Sequence, residues 1–517
     1  MHIRGVVRAA VSVAAAGGCV CVILRVTGIL SGRPVGAGDN TDGIRLYRGA
    51  GLIPDTADQR SDWKNGVVVH FTRGAPGPDP IPSAALQVLK VAALGRSERW
   101  SLTRLGWTYA LLTGAVTGVA AWALSADGVA RPLILLPILA PLADRDFARF
   151  FVSTYSEPAG LLAVAGLLSG TAILAVSRPA QRVERVLGLA LTGGGGLLAA
   201  TTKNSYGPLL PLAAAVCAAS GRITGPAVAA VILGAAVGPV VKAQRWQSRV
   251  YHGVNAHNLI FTMLFPELGP GAVVALGLPP EAVAYSGHGS SDEEGVPVDP
   301  DAIPGWQALI GDDPGRARNA AYRYLARHPA ALARAVGVAM QATQGREIDY
   351  LRDDPLPAGA DVPKKVTPTG SMGHDGDTLR AWLDGMPAPW YPSLLAALGI
   401  AIGSASLLGR SRGDPVHVLI RVAGVGAVGA VGVAALAVVG DGYYEIAKHV
   451  WLSAYLLDVT GTALLGAAAT AVVSGAWRIP LSEGPDAIRS RRAVAATSRT
   501  RPRLPGVRTP PPRPSVS

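Results

Sequence analysis

The sequence predicts an all-α polytopic membrane protein of about ten spanning helices with two long outer loops. Three observations carry that prediction. Only 16% of the 517 residues are charged, against roughly 25% in soluble chains. The 49% that are apolar gather in long unbroken runs, and mean hydropathy is positive. The basic residues of the short connections fall on one side of the proposed crossings. Together these features exclude a soluble globular enzyme and a disordered chain.

A crossing helix needs about 20 apolar residues. In chain order the candidate stretches are 5–30, 104–126, 130–143, 159–177, 186–202, 206–220, 224–241, 391–409, 416–440 and 449–474. Stretch 130–143 is short and holds Pro132, Pro137 and Pro141, while 186–202 carries the soft run Gly193 to Gly196. Cys19 follows Ala16-Gly17-Gly18, a faint echo of a lipoprotein cleavage site. The usual leucine is missing and the apolar run continues to Leu30, so an uncleaved first span is the better reading. Cys19, Cys21 and Cys217 all lie in apolar runs, which leaves no disulfide framework and no cysteine zinc site.

Sidedness follows from the arginines. Arg4 and Arg8 precede the first stretch, Arg178, Arg182 and Arg185 lie between the fourth and fifth, and Arg222 between the sixth and seventh. Arg410 and Arg412 lie between the eighth and ninth. With ten crossings all of these, and both termini, are expected on the cytoplasmic side of a plasma membrane. The chain then divides into a first transmembrane helix (1–30), a first outer loop with an acidic motif (31–103), helices two to seven (104–241), an outer loop domain (242–390), helices eight to ten (391–476) and an Arg/Pro-rich tail (477–517).

The formal charge of +12 invites a nucleic-acid reading, but residues 478–517 hold nine Arg against Glu483 and Asp486. That tail supplies most of the excess, and no basic patch interleaved with aromatics remains elsewhere. The segment 242–390 is opposite in sign, with 17 acidic against 13 basic side chains. Nucleic acid is therefore not an expected partner.

Several tempting motifs fail. Gly424-Val425-Gly426-Ala427-Val428-Gly429 matches GxGxxG but lies inside an apolar stretch with no preceding strand. Close helix packing through small residues is expected there, as at Gly234 and Gly238. No P-loop, HExxH or GxSxG pattern occurs, and His288 beside Ser290 and Asp292 reads as loop.

The informative pattern is positional. Asp39-Asn40-Thr41-Asp42 follows the first stretch, and Asp144, Arg145 and Asp146 follow the third. Tyr155-Ser156-Glu157-Pro158 leads into the fourth, and Lys203 and Asn204 fill the turn after the fifth. Asp441 to His449, with Glu445 and Lys448, joins the last two. Each alone reads equally well as an interfacial anchor or turn former. Gathered at one membrane face, opposed acids and bases suggest a site.

That set suits sugar transfer from a polyprenyl-phosphate-linked donor. An acceptor hydroxyl needs a carboxylate base, with Asp39 or Asp42 as base or metal ligand and Glu157 as a second acid. The departing phosphate needs cations at headgroup level, for which Lys203, Lys448 and His449 are the candidates. Asp144, Asp146, Asn204, Asp441 and Glu445 support them. A divalent cation, Mg or Mn, is an optional partner of Asp39 and Asp42.

At these residues the chain resembles the GT-C superfamily of integral-membrane glycosyltransferases, and within it the actinobacterial WsfD-like glycan biosynthesis hexose transferase family. Asp39-Asn40-Thr41-Asp42, Tyr155-Ser156-Glu157-Pro158, Leu276-Gly277-Leu278-Pro279-Pro280 leading to Tyr285-Ser286-Gly287, Tyr324 to Pro329, and Asp441-Gly442 through Glu445, Lys448 and His449 carry the likeness. It implies a polyprenyl-phosphate sugar donor, a cell-envelope glycan acceptor and an acidic catalytic residue in the first outer loop. Many such enzymes hold two acids as a tight pair, whereas Asp39 and Asp42 are three apart, so either is the base. The resemblance also implies that 242–390 shapes the acceptor cleft. Tyr251, Asn255, His257 and Asn258 form either a polar face there or a solvated amphipathic surface. The rival classes are a secondary transporter or flippase of lipid-linked sugars, with Lys203 and the Gly193 to Gly196 run as its best support, and a non-catalytic scaffold.

Overall fold

The computed structural model describes residues 2–32, 38–39, 43–55, 67–68, 70–95, 97–291, 299–344, 382–383, 385–408 and 413–474. Side chains are described for these except at 2–4, 38–39, 67–68 and 407–408. The chain divides into Met1–Ala468 and Ala469–Ser517. The second unit is described only through Ser474, at the end of the last helix.

All ten apolar stretches are helical. Among the described residues seven helices are long and apolar enough to cross a membrane: Gly5–Val26, Leu102–Asp127, Glu157–Val176, Arg182–Thr202, Thr224–Leu268, Pro415–Asp441 and Trp451–Val473. Tyr391–Ser406 and Arg131–Ala143 are shorter, and so is Leu209–Ala219. The prolines explain Arg131–Ala143. Pro132, Pro137 and Pro141 each open a separate turn, giving 3-10, α and 3-10 pieces in succession, because each lacks an N–H and fits only a helix start.

Helix Glu157–Val176 is the centre of the bundle, buried on nearly every side. It packs along Arg182–Thr202, while His2–Val26 packs along Leu102–Leu124 and Tyr391–Leu408 along Pro415–Asp441. The glycine run lies in these seams. A Cβ on Gly195 would meet the backbone of Leu167 at 2.6 Å, and one on Gly193 would meet Ile232 at 3.0 Å. The helix Arg182–Thr202 is thus unbroken across the run. Gly424 likewise lies against Gly403, and Gly426 against Thr460, so the GxGxxG match is a packing seam. Gly234 and Gly238 differ from expectation. Among the described residues nothing lies within 4 Å of a Cβ built on either, since their helix turns only a narrow stripe (Gly225, Ala229, Ile232, Ala236) to the bundle.

Two elements depart from the sequence reading. The stretch expected to end at 241 continues as helix to His257, then as π-helix Asn258–Leu264. The whole rod, Thr224–Leu268, has 45 residues and is about 67 Å long, roughly twice the hydrocarbon core. The all-α membrane architecture also gains a small sheet within 31–103. Leu52–Pro54, His70–Arg73 and Arg99–Ser101 form an antiparallel three-stranded sheet with Phe71 opposite Pro54 and Trp100. Phe71 packs on Tyr47 and Trp100 at ring-centroid distances of 5.1 and 5.4 Å. Helix Ala84–Ala92 follows, capped by Ser83, whose hydroxyl also donates to the Thr202 carbonyl at 2.7 Å. That bond ties the first connection to the end of helix Arg182–Thr202.

The two ends of the bundle separate the charges as the sequence grouped them. At one end Arg8 pairs with Glu184 at 2.8 Å and donates to the Trp122 carbonyl. At the other, the start of Glu157–Val176 meets the end of Arg182–Thr202.

Candidate functional site

Pro158 fixes the start of the central helix and places Glu157 in its first turn, where the helix dipole favours a carboxylate. The Glu157 side chain is only 5% exposed and receives Lys203 Nζ at 2.8 Å. Ser156 Oγ donates to its other oxygen at 3.2 Å. Lys203 reaches it because the chain leaves helix Arg182–Thr202 in extended conformation there. The lysine is 24% exposed and its ammonium lies 5.9 Å from the Tyr206 ring centre. Gly43, next in sequence after Asp42, sits so close to Thr154 that a Cβ would collide with its hydroxyl. The chain that follows the first-loop acids is therefore anchored three residues before Glu157.

The first connection is also clamped to the long helix. Asp79 accepts two bonds from Arg249, at 2.7 and 2.6 Å, and its carbonyl accepts from Trp246 Nε1 at 3.1 Å. The Arg45 guanidinium lies 4.3 Å over the Tyr251 ring. Asn204 donates to Gln244 at 3.1 Å and to Gln247.

A second cluster forms where the last connection docks on the π-helix. Asn258 Nδ2 donates to Asp441 Oδ1 at 2.8 Å while its side-chain oxygen Oδ1 accepts from the Ser290 N–H at 2.8 Å. His449 Nε2 meets Asp441 Oδ2 at 3.1 Å. Gly442, at φ +61, lies against Thr262 and the Asn258 carbonyl, and the Tyr443 N–H donates to Thr262 Oγ1 at 2.8 Å. The Tyr443 hydroxyl donates to Glu267 at 2.6 Å, and Glu267 also pairs with Arg334 at 2.9 Å. Burial, then the Glu267 carboxylate, pushes the Tyr443 phenol above its ordinary pKa. Lys448 pairs with Glu445 at 3.1 Å, and Glu445 holds a left-handed backbone, φ 45, a conformation that costs a non-glycine residue about 1 kcal/mol or more.

The polar face of 251–258 points inward. Asn255, His257 and Asn258 are 6%, 3% and 0% exposed, so the solvated-surface reading does not hold for them. His257 Nδ1 accepts from Trp306 Nε1 at 2.9 Å and Nε2 faces the His288 carbonyl at 3.1 Å. These partners specify a neutral imidazole protonated on Nε2.

Segment 144–157 joins the two clusters. Asp144 caps a short helix by accepting from the Asp146 N–H at 2.9 Å. Asp146 pairs with Arg149 at 2.8 Å, the two side chains 4% and 1% exposed. A fully buried ion pair needs strong mutual compensation, and within a membrane bundle it marks a polar focus. Phe150 and Phe147 pack on Trp451 at 3.9 and 4.9 Å, two residues after His449. Phe150 also meets Tyr155 at 6.4 Å, two residues before Glu157.

The structure thus pairs Glu157 with Lys203, Asp441 with His449 and Glu445 with Lys448, while Asp144 accepts from the Asp146 backbone N–H and the Asp146 carboxylate meets Arg149. Asp39 pairs through its backbone with Val67; its side chain and Asp42 lie outside the described residues. The Mg or Mn expectation falls on those two acids. Among the described residues no group of three or more His, Cys, Asp or Glu is placed to hold a metal ion. The sequence reading missed Thr154, Arg149, Gln244 and Gln247. The two glutamines, three apart on one helix, and Arg149, three after Asp146, have the local spacing that could have found them.

Residues 3–225 match the family of the YfdI N-terminal transmembrane domain. No curated protein and no solved structure matches the chain.

Proposed function

We propose that the protein is a GT-C-type membrane glycosyltransferase that moves a sugar from a polyprenyl-phosphate-linked donor to a cell-envelope glycan acceptor on the outer face of the plasma membrane. The observation that carries this reading is the Glu157–Lys203 pair at the head of the most buried helix, at the bundle end opposite Arg8–Glu184. The match to a transmembrane domain family supports its membrane setting.

In this reading a carboxylate, Asp39 or Asp42, takes the proton from the acceptor hydroxyl. The hydroxyl oxygen forms a bond to the anomeric carbon as the bond from that carbon to the phosphate oxygen breaks. The electron pair leaves with polyprenyl phosphate, whose added charge Lys203 meets, with Lys448 and His449 from the last connection. Glu157 positions Lys203 and serves as the second acid. The pairs Lys203–Glu157 and Lys448–Glu445 keep each ammonium neutralised until an anionic lipid competes for it. A lipid-borne donor suits a site on the face where nucleotide sugars are not supplied. The flippase rival draws on Lys203 and on the Gly193 to Gly196 run; the helix across that run is continuous, and Lys203 serves either reading.

Sidedness tests this reading. A cysteine at Ser156, in a chain lacking Cys19, Cys21 and Cys217, is expected to react with a membrane-impermeant thiol reagent added outside intact cells. Labelling only after permeabilisation overturns the lipid-donor mechanism.

A further inference from the structure

We infer that Asn204, Gln244 and Gln247 form a hydroxyl-reading site for the sugar of the lipid-linked donor, an inference that rests on the function proposed above. The three amides converge from two elements. Asn204 is in the turn after helix Arg182–Thr202, and the glutamines lie one helical turn apart on Thr224–His257. Asn204 Nδ2 donates to the carbonyl oxygens of both glutamines, which uses both of its N–H groups. Asn204 Oδ1 and the two glutamine NH2 groups have no protein partner among the described residues. Gln244 is exposed, and Asn204 and Gln247 are partly so. A strap fixing the turn to the helix needs one such bond. The surplus, one acceptor and four N–H donors, matches sugar hydroxyls, which both donate and accept.

Depth supports the assignment. Arg185 donates to the Ser220 carbonyl, so helices Arg182–Thr202 and Thr224–His257 start near one level. The first, of 21 residues, rises about 31 Å to Lys203, and Thr224 to Gln244 spans about 30 Å. Both therefore reach one hydrocarbon thickness from their common start, the level of a lipid phosphate and the sugar on it. Lys203 ties this turn to the central helix and Asn204, the next residue, ties it to the long helix. A phosphate at Lys203 thus puts its sugar within reach of the amides. A charged headgroup is served by cations, here Lys203 with the exposed Lys242 and Arg245 beside Gln244, and the three neutral amides among them leave the hydroxyls to be read by hydrogen bonds.

The test measures binding to the full chain in nanodiscs. The probes are undecaprenyl phosphate and its gluco-, manno- and galacto-configured hexosyl forms. The wild type is expected to bind at least one hexosyl lipid about tenfold or more tightly than the bare lipid, the worth of one to two hydrogen bonds. Gln244→Met and Gln247→Met, close to isosteric and each made singly so that Asn204 keeps one of its two bonds to the helix, are expected to remove that preference and leave bare-lipid affinity and the folded fraction unchanged, whereas Lys203→Met weakens both lipids. Retained preference in the glutamine variants, or equal loss on both lipids, overturns the inference and leaves the glycosyltransferase reading standing. So does a wild type that binds the bare lipid with no preference for any sugar. A wild type that binds none of the lipids overturns the donor reading and this inference with it.

Discussion

Replacing Lys203 by methionine keeps the length of the side chain and removes its charge, leaving the nearly buried Glu157 carboxylate without its lysine. The two charges are 2.8 Å apart between Nζ and Oε1. With an effective dielectric near 20, charges about 4 Å apart attract by about 4 kcal/mol. Breaking a buried pair from one side costs about 3–5 kcal/mol, and the partial exposure of Lys203 places this case at the lower end, about 3 kcal/mol. Glu157→Gln strands a less buried ammonium and is expected to cost less, about 1–2 kcal/mol. The double variant Glu157→Gln/Lys203→Met removes both charges and is expected to recover most of the summed loss, leaving about 1–1.5 kcal/mol, a coupling of about 3 kcal/mol. Equilibrium unfolding in mixed micelles, followed by tryptophan fluorescence, gives all four corners of the cycle. A Lys203→Met variant as stable as the wild type, or additive single effects, would refute the reasoning, because the pair would then contribute nothing beyond two solvated groups.

Three further outcomes follow from the docked last connection. Gly442→Ala is expected to destabilise by about 2–4 kcal/mol, because φ is +61 and the added carbon collides with Thr262 and the Asn258 carbonyl; the same unfolding assay checks it, and Gly440→Ala, in a helix and with nothing among the described residues within 4 Å, is the control, expected to be neutral to about 1 kcal/mol stabilising. Tyr443→Phe removes the donor to Glu267 and is expected to cost about 1–2 kcal/mol at neutral pH. Since the folded state raises the Tyr443 pKa above its ordinary 10.0, that contribution is fully present below about pH 10 and fades as pH rises beyond it; the stability gap between wild type and Tyr443→Phe should therefore narrow above pH 10, and a gap that widens there contradicts the assignment. Asn258→Ala removes the amide that bridges Asp441 and the Ser290 N–H, and a loss of about 2–3 kcal/mol is expected, with Asn258→Asp no better because it sets a carboxylate against Asp441.

The sequence made the bundle legible because a membrane leaves few alternatives. Backbone groups in hydrocarbon must be satisfied within the helix, so each long apolar run had one available structure. Arg8 at one end, and Glu157 and Lys203 at the other, could be sorted by their place between runs. Pairing was not legible. Glu157 and Lys203 are 46 residues apart, and Asn258 and Asp441 are 183 apart, distances at which no local pattern speaks. Gly234 and Gly238 show the limit of small-residue spacing. The motif permits a close neighbour, but among the described residues their face of the helix has none. The end of the seventh stretch was misplaced because hydropathy falls at Lys242, whereas the helix does not. Trp246, Tyr251 and Asn255 continue it on a face that the rest of the protein covers.

Turnover of a lipid-linked sugar tests the central claim most directly. Purified protein in lipid is given a panel of polyprenyl-phosphate-linked hexoses and pentoses, with a glycan acceptor, and free polyprenyl phosphate is measured beside Asp39→Asn and Glu157→Gln. The expected result is release by the wild type, none by Asp39→Asn, and at least a hundredfold slower release by Glu157→Gln, with all three folded to the same extent. Equal release by wild type and both variants contradicts a site built on these carboxylates.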